Sequence, residues 1–159
     1  MDREKELLLL SHFRRNSRQS LTKISRETRI PVSTIFDKLK EYEQTIIKKH
    51  TCLLNFKKLG FDLRTTILFK VEKEKKESFQ KFLLNNPSTN NVFKINNGYD
   101  FLIEAIFRDL REMDSFFEDA DKRGVVDRKE FFILESIARE NFLSYQPGMK
   151  SLLSVLVKK

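Results

Sequence analysis

The chain has 159 residues, 40% of them hydrophobic, which is enough for one ordinary domain or two small ones with a real core. Its 31 Lys and Arg against 23 Asp and Glu give a net charge of +8, concentrated early: residues 1–62 hold 14 basic and 8 acidic side chains, the remainder 17 and 15. A lone cysteine, Cys52, excludes an intrachain disulfide and a Cys-rich zinc site; it reads as a small, half-buried apolar residue in a reducing compartment.

No apolar run approaches the roughly 20 residues of a membrane span, and Met1-Asp2-Arg3-Glu4 lacks a signal-peptide layout, so no membrane contact and a cytoplasmic location are expected. From Asp2, a candidate N-cap, Leu7, Leu10 and Phe13 recur at helical spacing with Leu8 and Leu9 widening the stripe, which predicts a first core helix. Ser20 then caps a second helix with Leu21, Ile24 and Thr28 inward, and Ser25 is small enough to let two helices approach. Pro31 cannot sit inside a helix, so the second helix ends near Ile30 and a third starts at Val32 or Ser33. On the third, Ile35, Leu39 and Tyr42 share one arc while Ser33, Asp37, Lys40 and Glu41 cluster opposite, flanked by Thr34 and Lys38.

Two short amphipathic helices around a tight break form a helix-turn-helix pattern, which lays its second helix in a DNA major groove. Residues 46–51 read as a strand of a wing, with Lys48 and Lys49 as phosphate contacts. Arg18, Ser20 and Arg29, at the entry and turn of the motif, complete a candidate DNA-binding set with Ser33, Thr34, Asp37, Lys38, Lys40, Lys48 and Lys49. Residues 55–60 read as one helical turn closed by Gly60, a connector between domains.

Beyond Phe61 strands and helices alternate. Residues 65–71 are β-branched and aromatic, and residues 74–85 carry Phe79, Phe82 and Leu83 at helical spacing. Residues 91–96 and 100–107 are strands around Asn97-Gly98, a strong hairpin signal. A helix over 111–122 turns Met113, Phe116 and Phe117 inward, Gly124 closes it, and a fourth strand runs over 125–133. This order is the split βαβ or ferredoxin-like arrangement. Its two helices cover one sheet face, making Phe69, Phe93, Phe101, Phe107 and Phe131 or Phe132 core candidates, and the other face is left for self-association. The tail, with a Pro147-Gly148 break and an apolar run over 152–157, is expected to cover an edge or an interface. The expected class is α+β, an N-terminal winged helix-turn-helix followed by a ferredoxin-like βαββαβ regulatory domain. Its parts are residues 1–54 for DNA, 55–64 as linker, 65–138 for effector and oligomerisation, and 139–159 as tail.

Three segments resemble one family, the leucine-responsive and asparagine-synthesis regulators (Lrp/AsnC), including archaeal members. Arg18 to Ser25 resembles the family's entry to the second helix, and residues 46–48 through 59–61 resemble its wing and linker. Gly98-Tyr99-Asp100-Phe101-Leu102-Ile103, with Arg108-Asp109-Leu110, resembles the loop and strand of its amino-acid-binding domain. The resemblance implies homodimers joined through the regulatory sheets, often built into larger homo-oligomers, and an amino acid or similar small-molecule effector lined by Asn97, Gly98, Tyr99 and Asp100. An Asn-Gly turn that only fixes hairpin register is the alternative. Where the family has Ser-Pro and Arg-Arg on its recognition helix, this chain has Pro31-Val32 and Asp37-Lys38, which implies a different base preference.

Sequence-directed binding of double-stranded DNA for transcription regulation is the leading reading, with an architectural DNA binder lacking effector control as the second. A haem-pathway decarboxylase on a similar architecture is the third, but the two histidines, His12 and His50, both fall in the first third of the chain. No catalytic set, metal-ligand cluster or phosphate-cradling glycine loop is legible, so no enzyme activity, metal or cofactor is expected.

Overall fold

The computed structural model describes residues 1–144, which form two compact units: Met1–Cys52 with residues 137–144, and Leu53–Ser136. The Pro147-Gly148 break and the apolar run over 152–157 lie outside the described residues.

The first unit holds α1 (Arg3–Arg15), α2 (Leu21–Thr28) and α3 (Val32–Thr45). Each of the first two begins where a side chain satisfies an orphan amide: Asp2 accepts from Lys5 N–H at 2.9 Å and Ser20 from Lys23 N–H at 3.3 Å. The turn after α2 is sealed by Thr28, whose hydroxyl donates to the Ile24 carbonyl (2.8 Å) and accepts from Ile30 N–H (3.3 Å), while Arg29 takes a left-handed conformation at φ +61°. Pro31 precedes α3, where a fixed φ of −56° is tolerated, and its carbonyl accepts the first helical bond from Ile35 N–H.

Leu9, Phe13, Ile24, Ile30, Ile35 and Tyr42 form the core of this unit, and each such burial contributes about 2 kcal/mol. The α1 stripe is rotated from expectation: Leu9 and Phe13 are buried, and the expected Leu7 and Leu10 are half-exposed. In their stead α1 turns the polar Ser11 and His12 inward. Cys52 is exposed, not half-buried. The expected wing strand is absent, since residues 47–51 are irregular; a strand needs a pairing partner, and the described part of this unit supplies none. Residues 137–144 return to α1, where Arg14 donates to the Phe142 carbonyl (2.9 Å) and pairs with Glu140.

The second unit runs β1 (Leu63–Val71), α4 (Lys76–Asn85), β2 (Thr89–Lys94), β3 (Phe101–Phe107), α5 (Leu110–Asp121) and β4 (Val125–Phe132), with 3-10 turns at Phe56–Leu59 and Lys73–Lys75. Strand order is β2-β3-β1-β4, all antiparallel, the expected ferredoxin-like sheet. β1 starts at Leu63, inside the segment read as linker, because Leu63 pairs with Phe107.

On the helix-covered face Ile67, Phe69 and Val71 of β1 and Phe101, Ile103, Ala105 and Phe107 of β3 meet Phe79 and Leu83 of α4 and Met113, Phe116, Phe117 and Ala120 of α5. Phe69 and Phe79 stand edge to face at 5.2 Å, the arrangement that ring quadrupoles favour. Gly124, at φ +87°, accepts Glu72 N–H on its carbonyl, and a Cβ there would stand 2.4 Å from Lys75 Cδ, so this reversal requires glycine.

Three expected core aromatics lie elsewhere. Phe93 is exposed on the open face because its neighbour Val92 takes the inward position. Phe131 is exposed on that same face opposite Thr66, and Phe132, opposite buried Thr65, sits on the edge strand beyond the cover of the helices. Leu68 and Leu102 are cross-strand partners on the open face. Arg64 and Glu104 form an ion pair there, with Asn91 Nδ2 donating to Glu104 at 2.8 Å.

His12 gives the first unit a pH dependence. Its ring is 1% exposed with Nδ1 3.3 Å from Glu27 Oε2. Burial pushes its pKa below the ordinary value, Glu27 opposes that and Arg15 reinforces it. A depressed pKa means the unfolded chain takes the proton first, so the stability present above about pH 6.5 is lost as pH falls through the folded-state value. Thermal unfolding should show a lower midpoint at pH 5 than at pH 7, and His12→Leu should reduce that difference.

Candidate DNA-binding face and effector hairpin

Helix α3 presents Ser33, Asp37 and Lys40 on one exposed surface, with Thr34 and Lys38 half-buried at its flank. Lys38 is committed along its own helix, its Nζ 2.5 Å from Glu41. Exposed Ser20 accepts from Lys23 N–H as the α2 cap and keeps its O–H as a donor, with Arg18, whose amide is held by Asn16 Oδ1 (3.0 Å), and Arg29 exposed near it in the chain. Lys48 and Lys49 are exposed on irregular chain after α3, which His50 ties back to the helix through Glu43 at 3.0 Å. Cation-bearing side chains thus flank a helix face of small polar groups, suited to phosphate contact around base-edge contact.

Sequence reasoning missed two residues of this face. Val32 and Phe36 are 42% and 47% exposed, and Lys40 Nζ lies over the Phe36 ring, 4.4 Å from its centroid. The signal was available, since neither falls in the arc of Ile35, Leu39 and Tyr42. Tyr42 is fully buried, and burial, with Glu6 and Glu41 adding to it, pushes its phenol up to about 12, so it enters the core as a neutral group.

In the second unit Asn97 and Gly98 take successive left-handed conformations, φ +65° and +91°, and reverse the chain between β2 and β3. Both are exposed, whereas Tyr99 and Asp100 are half-buried. The Tyr99 hydroxyl donates to Asp127 of β4 at 2.8 Å, and Lys129 Nζ lies 5.6 Å from its ring centroid. Asp100 accepts from Val71 N–H (2.9 Å) and Lys76 Nζ (2.5 Å), so its carboxylate braces the hairpin against β1 and α4. Its burial works to raise the pKa, but Lys76 and the Val71 amide outweigh that and hold the group below the usual carboxylate range. Among the described residues no three His, Cys, Asp or Glu side chains gather as a metal site, and no helix is long and apolar enough to cross a membrane.

Asp100→Asn keeps an acceptor for Val71 but loses the charged partner of Lys76. Calorimetry should record a loss of about 1 kcal/mol at neutral pH. Because a depressed carboxylate stabilises only above its unfolded pKa, that difference should vanish as pH falls below the carboxylate range.

No family model matches the chain. It is 24% identical over 135 residues to an uncharacterized HTH-type transcriptional regulator of Pyrococcus horikoshii, covering 84% of this chain and 91% of that one. Among solved structures it superposes on a transcriptional regulator of Neisseria meningitidis in complex with L-methionine, with a TM-score of 0.79 and 22% identity over 87% of this chain and 93% of that one. An AsnC family transcriptional regulator from Agrobacterium tumefaciens gives a TM-score of 0.74 at 16% identity over 87% and 94%. By these comparisons the chain has the two-domain fold of the Lrp/AsnC regulators, and its sequence relatives are HTH-type transcriptional regulators.

Proposed function

We propose that this protein is a cytoplasmic transcriptional regulator that binds double-stranded DNA by laying α3 in the major groove, as a homodimer or larger homo-oligomer. The observation that carries this is the exposed face of α3 in a unit whose first 52 residues hold 12 Lys and Arg against 7 Asp and Glu. Assembly is supported by the open sheet face, where Leu68, Leu102, Phe93 and Phe131 have no helix of the described residues over them. Two-fold pairing would also present two copies of α3 to two half-sites.

Each phosphate neutralised adds about −0.9 to the slope of log K against log salt. Lys48→Ala with Lys49→Ala should therefore weaken binding to all duplexes alike and flatten that slope by about 2, whereas Asp37→Ala should change preference among sequences. A chain with no measurable affinity for genomic fragments at low salt ends this reading.

The sheet domain is proposed to bind a small effector, an amino acid, at the Asn97 to Asp100 hairpin. The Neisseria structure with L-methionine supports this by likeness of fold. The prior engagement of Asp100 with Lys76 favours the second reading, an architectural DNA binder without effector control. A thermal-shift screen with the twenty amino acids decides between them, since a ligand of the native state raises the midpoint. The effector reading expects at least one amino acid to do so, and a flat response throughout selects the architectural one. Light scattering of the same samples should give a mass at or above the dimer.

A further inference from the structure

The outward surface of α3 carries an apolar edge that is left exposed. Val32 and Phe36, four residues apart and so in line on the helix, are 42% and 47% exposed, while Ile35 and Tyr42 are fully buried in the unit's core. Neither Val32 nor Phe36 is among the buried residues of that core. Lys40, one turn further on, holds its ammonium 4.4 Å from the Phe36 ring centroid, a cation–π contact that sets charge beside the ring. Ser33 and Asp37 adjoin the same edge and are exposed.

Two side chains are far too small an area for a stable protein partner, which needs on the order of 800 Å² from each side. The surrounding chemistry is that of a polyanion-facing helix. Within a major groove the apolar group on the base edges is the 5-methyl of thymine, and a phenylalanine contacts it directly. Here the anchored Lys40 would meet a phosphate or a guanine edge next to it, by the same arrangement of ring and ammonium.

We propose that Phe36, flanked by Val32, is a specificity-determining residue that reads thymine methyl groups, so that the preferred sites of this protein carry thymine opposite the α3 apolar edge. The assignment rests on the DNA-binding reading above and deepens it.

The test uses the full chain and the duplex it selects best from a random-sequence library, prepared once with thymidine and once with deoxyuridine at every thymidine position, which deletes only the methyl groups. The wild type should bind the deoxyuridine duplex more weakly, by about fourfold for each methyl contacted. Phe36→Ala should bind both duplexes equally, and Phe36→Leu should retain part of the discrimination. Thermal melts of the wild type and both variants, run alongside, separate loss of reading from loss of folding. Equal wild-type affinity for the two duplexes overturns the proposal while leaving DNA binding intact, and so does discrimination that persists in Phe36→Ala. A changed mass of Phe36→Ala in light scattering with discrimination intact assigns the edge to contact between copies and overturns it as well. Absence of binding to any duplex removes both this proposal and the reading beneath it.

Discussion

The pairing of β1 on both its edges governs the larger unit. β1 lies between β3 and β4, with Ile67 opposite Ile103 on one side and Glu130 on the other, and Phe69 opposite Phe101 and Arg128. Side chains alternate with period two, so fixing this register commits every residue of β1 and β3 to a face at once. Phe69, Phe101 and Phe107 go under the helices, where Phe79 and Phe116 close on them, and Leu68, Leu102, Arg64 and Glu104 go to the other side. A slip by one residue would exchange the two sets and strand an ion pair beneath α4 and α5.

In the smaller unit the equivalent constraint is the chain reversal between α2 and α3. It is made by local means: the Thr28 hydroxyl bonded on both sides, Arg29 in a left-handed conformation and Pro31 ahead of the helix. With the angle between these helices set over three residues, Ile24, Ile30 and Ile35 converge, and the remaining faces of α3 are released from packing. That release is what leaves Phe36 and Asp37 on the exposed side of α3.

Patterns that depend on neighbours in the chain were legible beforehand. The Ser20 cap, the break at Pro31, the Asn97-Gly98 reversal and the six-element order of the sheet domain all follow from local chemistry, and the structure has them. Features set by distant partners were not legible. Phenylalanine at 93 and 131 reads as core, yet which neighbour faces the helices depends on where strands pair and which lie at the edge. Likewise the hairpin around Asp100 could be located, but not that Lys76, 24 residues away, holds its carboxylate. A wing strand at residues 46–51 failed for the same reason, because β-propensity makes no strand without a partner, and none of the described residues pairs with that segment.

The Arg64–Glu104 pair with Asn91, on the open face, also bears on what can cover that face. Covering charged groups is costly unless the covering surface supplies matching polar contacts. A second copy of this chain, were it to cover this face about a two-fold axis, would offer the same acid, base and amide in inverted order. A purely apolar cover would desolvate the pair and return no polar contact for it, a penalty that needs no clash of shape.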